Sequence, residues 1–254
     1  MYQFFVQEEQ FATNRISILG SDVNHIKNVL RMKTGERVRV SISDNGRSFF
    51  GTIETITDEE VTVLVESEDE NGTELQSRIY LFQGLPKGDK MELIIQKAVE
   101  LGVYEIVPVA MKNCVVKLDD KKAASKVKRW QAISESAAKQ SKRTLIPEVQ
   151  MPLTWKEALK KAEALDVVLV PYENERGMDA TREILQSIKQ GQSIGIFVGP
   201  EGGFAPEEIE QVAPVTHEAE SIGQGKRISL GRRILRTETA GLATLAMLIF
   251  CLDE

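Results

Sequence analysis

The sequence predicts an α/β protein in two parts: a small strand-rich module over residues 1–72 and a mostly parallel sheet with helices on both faces over residues 73–254. Three observations lead there. From Arg78 onward, apolar runs of strand length alternate with stretches of helical spacing, the pattern of a parallel sheet wrapped by helices. The first seventy or so residues instead carry short strand candidates and a hairpin signal, Asp44-Asn45-Gly46. Between the two lies Glu66-Ser-Glu-Asp-Glu-Asn-Gly72, acidic, turn-rich and without an apolar side chain, where we place the domain boundary.

In the first module the strand candidates are Tyr2–Val6, Arg37–Ile42, Ser48–Glu54 and Val61–Val65. Ser21-Asp22 is read as the cap of a helix running through Met32, with Val23, Ile26, Val29 and Leu30 on one face and His25, Lys27 and Arg31 elsewhere. The sum is a small β-barrel-like module, which composition does not separate from other small barrels. In the second part, Arg78–Gly84 reads as a strand. Met91–Leu101 follows as a helix closed by Gly102, with Met91, Ile94, Ile95, Ala98 and Leu101 at helical spacing. Val103–Val109 is the next strand, and a basic helix extends to about Lys142. A helix at Trp155–Ala164, the strand Val167–Val170, a helix near Ala180–Ile188 and the strand Ile194–Val198 continue the series. Ordinary topology rules predict an unknotted, doubly wound sheet, because threaded chains are nearly absent from folds.

Two segments near the C-terminus carry most of the functional information. In Phe197-Val-Gly-Pro-Glu-Gly-Gly-Phe204, Pro200 ends the strand because proline fixes φ and has no N–H to donate. Gly202 and Gly203 tolerate positive φ and carry no Cβ, so a flat or charged ligand can lie directly against the main chain. Pro206-Glu207-Glu208 then opens a helix, with proline in the first turn and two acids favoured by the dipole. Strand, glycine turn and helix make a ligand crevice in open α/β sheets. The second segment, Ser229-Leu-Gly-Arg-Arg-Ile-Leu-Arg-Thr-Glu-Thr-Ala240, sets Gly231 among Arg232, Arg233 and Arg236, then enters a helix rich in small residues.

Composition narrows the class. With 254 residues, 42% hydrophobic and 28% charged, the chain is long and apolar enough for one large core or two moderate ones. Cys114 and Cys251 stand at unrelated positions and give neither a disulfide framework nor a metal-ligand spacing, which points to a reducing compartment. The N-terminal Met1-Tyr-Gln-Phe-Phe-Val-Gln-Glu-Glu is acidic where a signal peptide is basic, so export is not expected and the cytoplasm is. Ala240–Leu252, the longest apolar stretch, falls short of the roughly 20 residues a bilayer requires and is read as a core or subunit-interface helix. The net charge of −6 argues against indiscriminate coating of nucleic acid. That charge is uneven: residues 51–72 hold eight acids and no Lys or Arg, while 112–143 hold ten bases against three acids and 224–238 five against one. Basic patches on an acidic body suit a selective RNA partner, although the bases near 121–143 also fit the wet face of an amphipathic helix.

Together and in this order, the two C-terminal segments resemble the signature of the bacterial 16S ribosomal RNA uracil-N3 methyltransferases, the ribosomal RNA small subunit methyltransferase E family of the knotted SPOUT class. The resemblance spans nearly the whole chain and includes His25-Ile-Lys-Asn-Val-Leu-Arg31, Gln96-Lys-Ala-Val-Glu-Leu-Gly102 and Arg129-Trp-Gln-Ala-Ile-Ser-Glu-Ser-Ala-Ala-Lys-Gln-Ser141. Departures are Asn24, where relatives often carry a second histidine, Asn113-Cys114 in place of Arg-Ser, and Ala205 where a capping Ser or Thr is common, a loss on the order of 1 kcal/mol. The resemblance implies a PUA-like RNA-binding first module, a deep trefoil knot in the second part, and a homodimer. Its implied donor is S-adenosyl-L-methionine, its implied partner 16S ribosomal RNA in the 30S subunit, and neither metal nor membrane takes part.

The donor pocket so implied lies between three loops: Val170 and Pro171; Gly199, Pro200, Glu201, Gly202 and Gly203; and Ser229, Leu230, Gly231, Ile234 and Leu235. No Gly-x-Gly-x-x-Gly, phosphate-binding loop or histidine-rich site competes; Gly223-Gln-Gly225-Lys-Arg-Ile228 is only a truncated dinucleotide look-alike, and His25 and His217 stand far apart. N3 of uracil carries a weakly acidic proton whose departure spreads charge onto the flanking carbonyls, which an arginine fork suits. Arg236 is the first candidate, against a role pairing with Glu238 or a neighbouring helix. Glu201 is a candidate base or donor-orienting carboxylate, against a plain turn residue. His25, Arg31, Lys33, Arg143, Arg232 and Arg233 are candidate phosphate contacts, and the target base must leave its stack to be reached. Two other classes stay open from sequence: a non-catalytic RNA-binding or ribosome-assembly protein on the same scaffold, and a small-molecule methyltransferase.

Overall fold

The computed structural model describes residues 1–43, 45–70, 72–214 and 225–253. Asp44, Asn71, His217, Gly223 and Gln224, each part of a sequence expectation, lie outside the described residues. The chain divides into two compact units, Met1–Glu74 with Ala138–Ile146, and Leu75–Ala137 with Pro147–Glu254.

In the first unit β1 (Tyr2–Val6), β2 (Phe11–Ala12), β3 (Arg15–Leu19), β4 (Arg37–Ile42), β5 (Ser48–Ile56) and β6 (Glu60–Glu68) form a six-stranded sheet in the order β1-β4-β5-β6-β3-β2. Only β1 and β4 run parallel. β1 also lies against β3, so the sheet curls back on itself. Period-two alternation sends Phe4, Ile16, Ile18, Val38, Val40, Val61 and Val63 into one core. Gly46, at φ 70°, turns the chain between β4 and β5 and donates its N–H to the Ile42 carbonyl at 3.0 Å.

Several expectations change here. The sequence reading has no element over 11–19, because strands this short, split by a turn, leave little periodicity to read. The helix read from Ser21 to Met32 is shorter: α1 (Ser21–Asn24) passes into a π-turn over His25–Val29, and Arg31 lies at φ 54°. Gly20, at φ 70°, precedes α1, and no side chain caps it. The wider π-turn rotates the apolar face, so Val23 and Ile26 are buried while Val29 is 62% exposed. The acidic run at 66–72 is partly strand: Glu66 and Glu68 lie in β6 and pair with Arg37 at 2.9 Å and Arg47 at 2.7 Å. Asp69 pairs with the buried Arg39 at 2.6 Å.

In the second unit seven parallel strands form one sheet: β7 (Arg78–Gly84), β8 (Glu105–Ala110), β9 (Glu148–Val149), β10 (Leu153–Thr154), β11 (Val167–Pro171), β12 (Ser193–Val198) and β13 (Gly225–Ile228). Their order is β10-β8-β7-β12-β11-β13, with β9 also on β8. The helices are α2 (Lys90–Glu100), α3 (Asp120–Ser141), α4 (Trp155–Ala162), α5 (Asp179–Ser187), α6 (Pro206–Val212) and α7 (Thr237–Leu252); the last residues of α3 fall in the first unit. Ile79, Leu81, Ile194 and Ile196 on β7 and β12 are fully buried, and Phe82 stacks on Phe197 with centroids 4.3 Å apart. Strands covered on both faces read as continuous apolar runs, which is why these were legible. α7 packs on α2 and β12, with Gly241 against Val198 and Leu81.

β13 has no counterpart in the sequence reading. Only Ile228 in it is a large apolar residue, and it pairs with β11 at the sheet edge. A Cβ at Gly225 would sit 2.0 Å from the Val212 carbonyl oxygen, so this glycine serves close backbone approach rather than a nucleotide.

Candidate functional site

Parallel strands β7, β12, β11 and β13 lie side by side, so the loops that follow them emerge at one edge of the sheet. There a cavity of about 350 Å³ is lined by Pro171 to Glu173 after β11, by Gly199 to Glu201, Gly203 and Phe204 after β12, and by Leu230, Gly231 and Arg233 to Thr237 after β13. Lys90 on α2 and Ala240 on α7 complete the wall, with Glu175 and Arg176 at its rim.

The sequence builds the central turn from local chemistry. Gly203, at φ 67°, donates its N–H to the Pro200 carbonyl at 2.9 Å. A Cβ at Gly199 would stand 3.1 Å from the Gly203 carbonyl carbon, and one at Gly84 only 2.7 Å from the Pro200 nitrogen. The Thr237 hydroxyl donates to the Gly199 carbonyl at 2.6 Å and accepts from Gln83 Nε2 at 2.8 Å, which ties α7 and β7 to the turn. Asn113 Nδ2 donates to the carbonyls of Gly202 and Gly203 at 3.1 and 3.2 Å, so a residue that departs from the family pattern steadies the loop. Ala205 provides no cap for α6, yet the buried Glu208 carboxylate accepts from the Ala205 N–H and the Lys112 N–H, both at 2.8 Å. After β13, the Ser229 N–H donates to the Thr181 hydroxyl at 2.9 Å, and Gly231 turns at φ 100°.

Of the residues expected around the donor, Pro171, Gly199, Pro200, Glu201, Gly203, Leu230, Gly231, Ile234 and Leu235 line the cavity. Val170 and Ser229 are buried behind it, and Gly202 faces Asn113. Arg236 lines the cavity as N-cap residue of α7, and its guanidinium has no hydrogen bond or ion pair among the described residues. The alternative pairing with Glu238 is not seen; Glu238 instead lies 3.6 Å from Lys90. Glu201 is anchored instead: Lys90 Nζ stands 2.7 Å from its Oε1, and the Lys87 N–H donates to it at 3.1 Å. Burial pushes this carboxyl up, but the bonds from Lys90, its own backbone and Lys87 outweigh it and hold Glu201 below the usual glutamate range. Bonding to Glu201 raises the Lys90 ammonium in turn, against desolvation.

Sequence reasoning missed Lys90, Thr237, Phe204 and the Tyr172–Glu173 wall. A signal for Lys90 existed, since Gly84-Leu-Pro-Lys-Gly-Asp-Lys90 is another strand, turn and helix start at the same sheet edge. Of the candidate phosphate contacts, His25, Arg31 and Lys33 are exposed on the first unit and Arg232 and Arg233 on the second, where Arg233 also lines the cavity. Arg143 is corrected: it is 3% exposed, and its guanidinium forks onto Glu74 at 2.5 to 2.9 Å. In a one-dimensional charge count a buried, paired arginine looks the same as a solvated one. Among the described residues no group of three or more His, Cys, Asp or Glu is placed to hold a metal ion, and no helix is long and apolar enough to cross a membrane.

Residues 73–249 match the family described as an RNA methyltransferase domain, and residues 18–66 match the RNA methyltransferase PUA domain. The ribosomal RNA small subunit methyltransferase E of Bacillus subtilis is 37% identical over 92% of this chain and 89% of its own. The crystal structure of a ribosomal RNA small subunit methyltransferase E from Neisseria gonorrhoeae bound to S-adenosyl methionine superposes with a TM-score of 0.81 at 30% identity, covering 99% of this chain and 98% of that one. A putative methyltransferase from Legionella pneumophila, solved with the bound cofactor SAM, gives 0.80 at 29% identity over 98% and 97%.

Proposed function

This chain belongs to the ribosomal RNA small subunit methyltransferase E family, and from that premise we propose that it methylates N3 of one uridine in 16S ribosomal RNA, using S-adenosyl-L-methionine. The observation that carries the reading is the convergence on a single cavity of three main-chain loops and Arg236, an arginine without a partner among the described residues. The residues present fit the donor. At about 350 Å³ the cavity lies in the range of small-molecule sites, roughly 300–1,000 Å³. Gly231, with nothing within 4 Å of where a Cβ would stand, leaves main chain open to a flat ligand, and Pro171, Phe204, Leu230 and Leu235 add apolar wall.

When bound, the donor supplies a methyl group already activated by its sulfonium. The protein's task is then alignment and charge. Loss of the N3 proton spreads negative charge over the flanking carbonyl oxygens of the uracil, and the Arg236 guanidinium receives it as a planar fork. Glu201, held below the usual glutamate range, is a weak base, so we assign it to orienting the donor rather than taking the proton. Exposed Arg232 and Arg233 beside the cavity, and His25, Arg31 and Lys33 on the PUA unit, contact RNA phosphates. The same reading carries a trefoil knot in the second unit, a homodimer, and work in the cytoplasm on the small subunit.

The test is to incubate the protein with methyl-labelled donor and small subunits or their RNA from cells lacking its gene, then digest to nucleosides. Label in 3-methyluridine is expected. Label in another nucleoside, or none while the donor binds by calorimetry, overturns the assignment.

A further inference from the structure

We propose that Lys90 is a positioning residue of this site: it bridges Glu201 on the turn after β12 and Glu238 on the first turn of α7, and so fixes the Glu201 carboxylate in the cavity wall. The inference rests on the reading of the cavity as the donor site. Lys90 Nζ lies 2.7 Å from Glu201 Oε1 and 3.6 Å from Glu238 Oε2, and Lys90 itself lines the cavity. Glu238 Oε2 is buried and has no hydrogen-bond partner among the described residues, so the ammonium is the charge that balances it. Local helix chemistry does not explain this lysine. It is the first residue of α2, where the helix dipole favours an acid, and Asp89 before it makes no side-chain cap. A residue placed against its own helix's preference, and bonded to two other segments of one cavity, is placed for the cavity.

The consequence is specific. Glu201 and the α7 start that carries Arg236 are held by one cation, so removing that cation loosens both walls at once. The alternative, that Lys90 merely adds stability, predicts a loss of melting temperature with turnover intact.

The experiment compares wild type, Lys90→Met, Lys90→Gln, Lys90→Arg, Glu201→Gln and the double variant Lys90→Met with Glu201→Gln. Each is measured for kcat and KM with small-subunit RNA, for S-adenosylhomocysteine affinity by calorimetry, and for melting temperature. Lys90→Met and Lys90→Gln are expected to lower kcat about 10- to 100-fold, the scale of a small misplacement in an aligned site, with KM for RNA little changed. Lys90→Arg restores most of the rate, and Lys90→Met costs clearly less in the Glu201→Gln background than in wild type, because the Glu201 contact is already gone and only the Glu238 contact is left to lose. Full turnover in Lys90→Met, a loss that adds in full to that of Glu201→Gln, or two neutral variants that do not fold would each overturn the positioning role. Wild-type protein that binds neither donor nor product overturns the reading of the cavity instead, and this inference with it; wild type that methylates beside an unaffected Lys90→Met overturns this inference alone.

Discussion

At the scale of single residues, the roles proposed for Arg236 and Glu201 follow from what surrounds them. Arg236 has no partner among the described residues to release, so on the proposed mechanism Arg236→Ala is expected to cost about 10²–10³ in kcat while donor affinity holds. Parallel calorimetry and turnover measurements check this; equal losses in binding and rate would assign Arg236 to holding the donor. Glu201 carries a pH signature. Its folded pKa lies below glutamate's ordinary 4.5, so its stabilising contribution is complete above that value and fades as pH falls through the lower folded one. A melting-temperature series from pH 6 to 3 should therefore be shallower in Glu201→Gln than in wild type. The glycine turn was legible because Pro200, Gly202 and Gly203 encode it locally. Lys90 was not, because its meaning comes from a carboxylate on another strand's loop, 111 positions away. Arg143 was misread for the same reason, since Glu74 lies 69 positions from it.

At the scale of elements, the lesson is compensation. Ala205 removes the expected cap of α6, and Glu208 from within the same helix supplies an acceptor to the Ala205 N–H, while its other oxygen takes the Lys112 N–H. Glu208→Ala leaves two backbone donors without that acceptor and is expected to destabilise the protein by about 2 kcal/mol or more, read by urea unfolding. An unchanged midpoint would show that water serves those donors as well. β13 gives the converse case. Its sequence is too polar to read as a strand, yet Gly225 is sterically required by the Val212 carbonyl. Gly225→Ala should cost about 1–3 kcal/mol by overpacking, at a position that sequence inspection treats as a discarded motif. The long central strands and α2 were legible because their burial writes a continuous period; the two-residue strands β9 and β10 and the π-turn after α1 were not, because each depends on a partner rather than on its own pattern.

At the scale of the whole molecule, composition gave the class but not the arrangement. Alternating patterns fix a parallel sheet, whereas the order β8-β7-β12-β11-β13 depends on pairings between strands far apart in sequence, and no residue count supplies it. The acidic surplus is likewise neutralised locally: Glu54, Asp58, Glu66, Glu68 and Asp69 pair with Arg15, Lys27, Arg37, Arg47 and Arg39. Arg232 and Arg233 are exposed, and on the proposed reading they meet RNA phosphates. RNA affinity should fall steeply with salt, and Arg232→Ser should lower the log–log slope by about 0.7–0.9, the share of one phosphate contact, without changing which nucleoside is methylated. α7 makes the other whole-molecule demand. It buries Leu245, Leu248 and Leu252 in its own unit but leaves Phe250 90% exposed, an apolar side chain on the helix that the sequence reads as a core or subunit-interface element. A second copy covering Phe250 predicts a light-scattering mass of two chains for wild type and of one for Phe250→Glu at low concentration. A single-chain mass for the wild type at every concentration would leave Phe250 facing solvent and the homodimer without support.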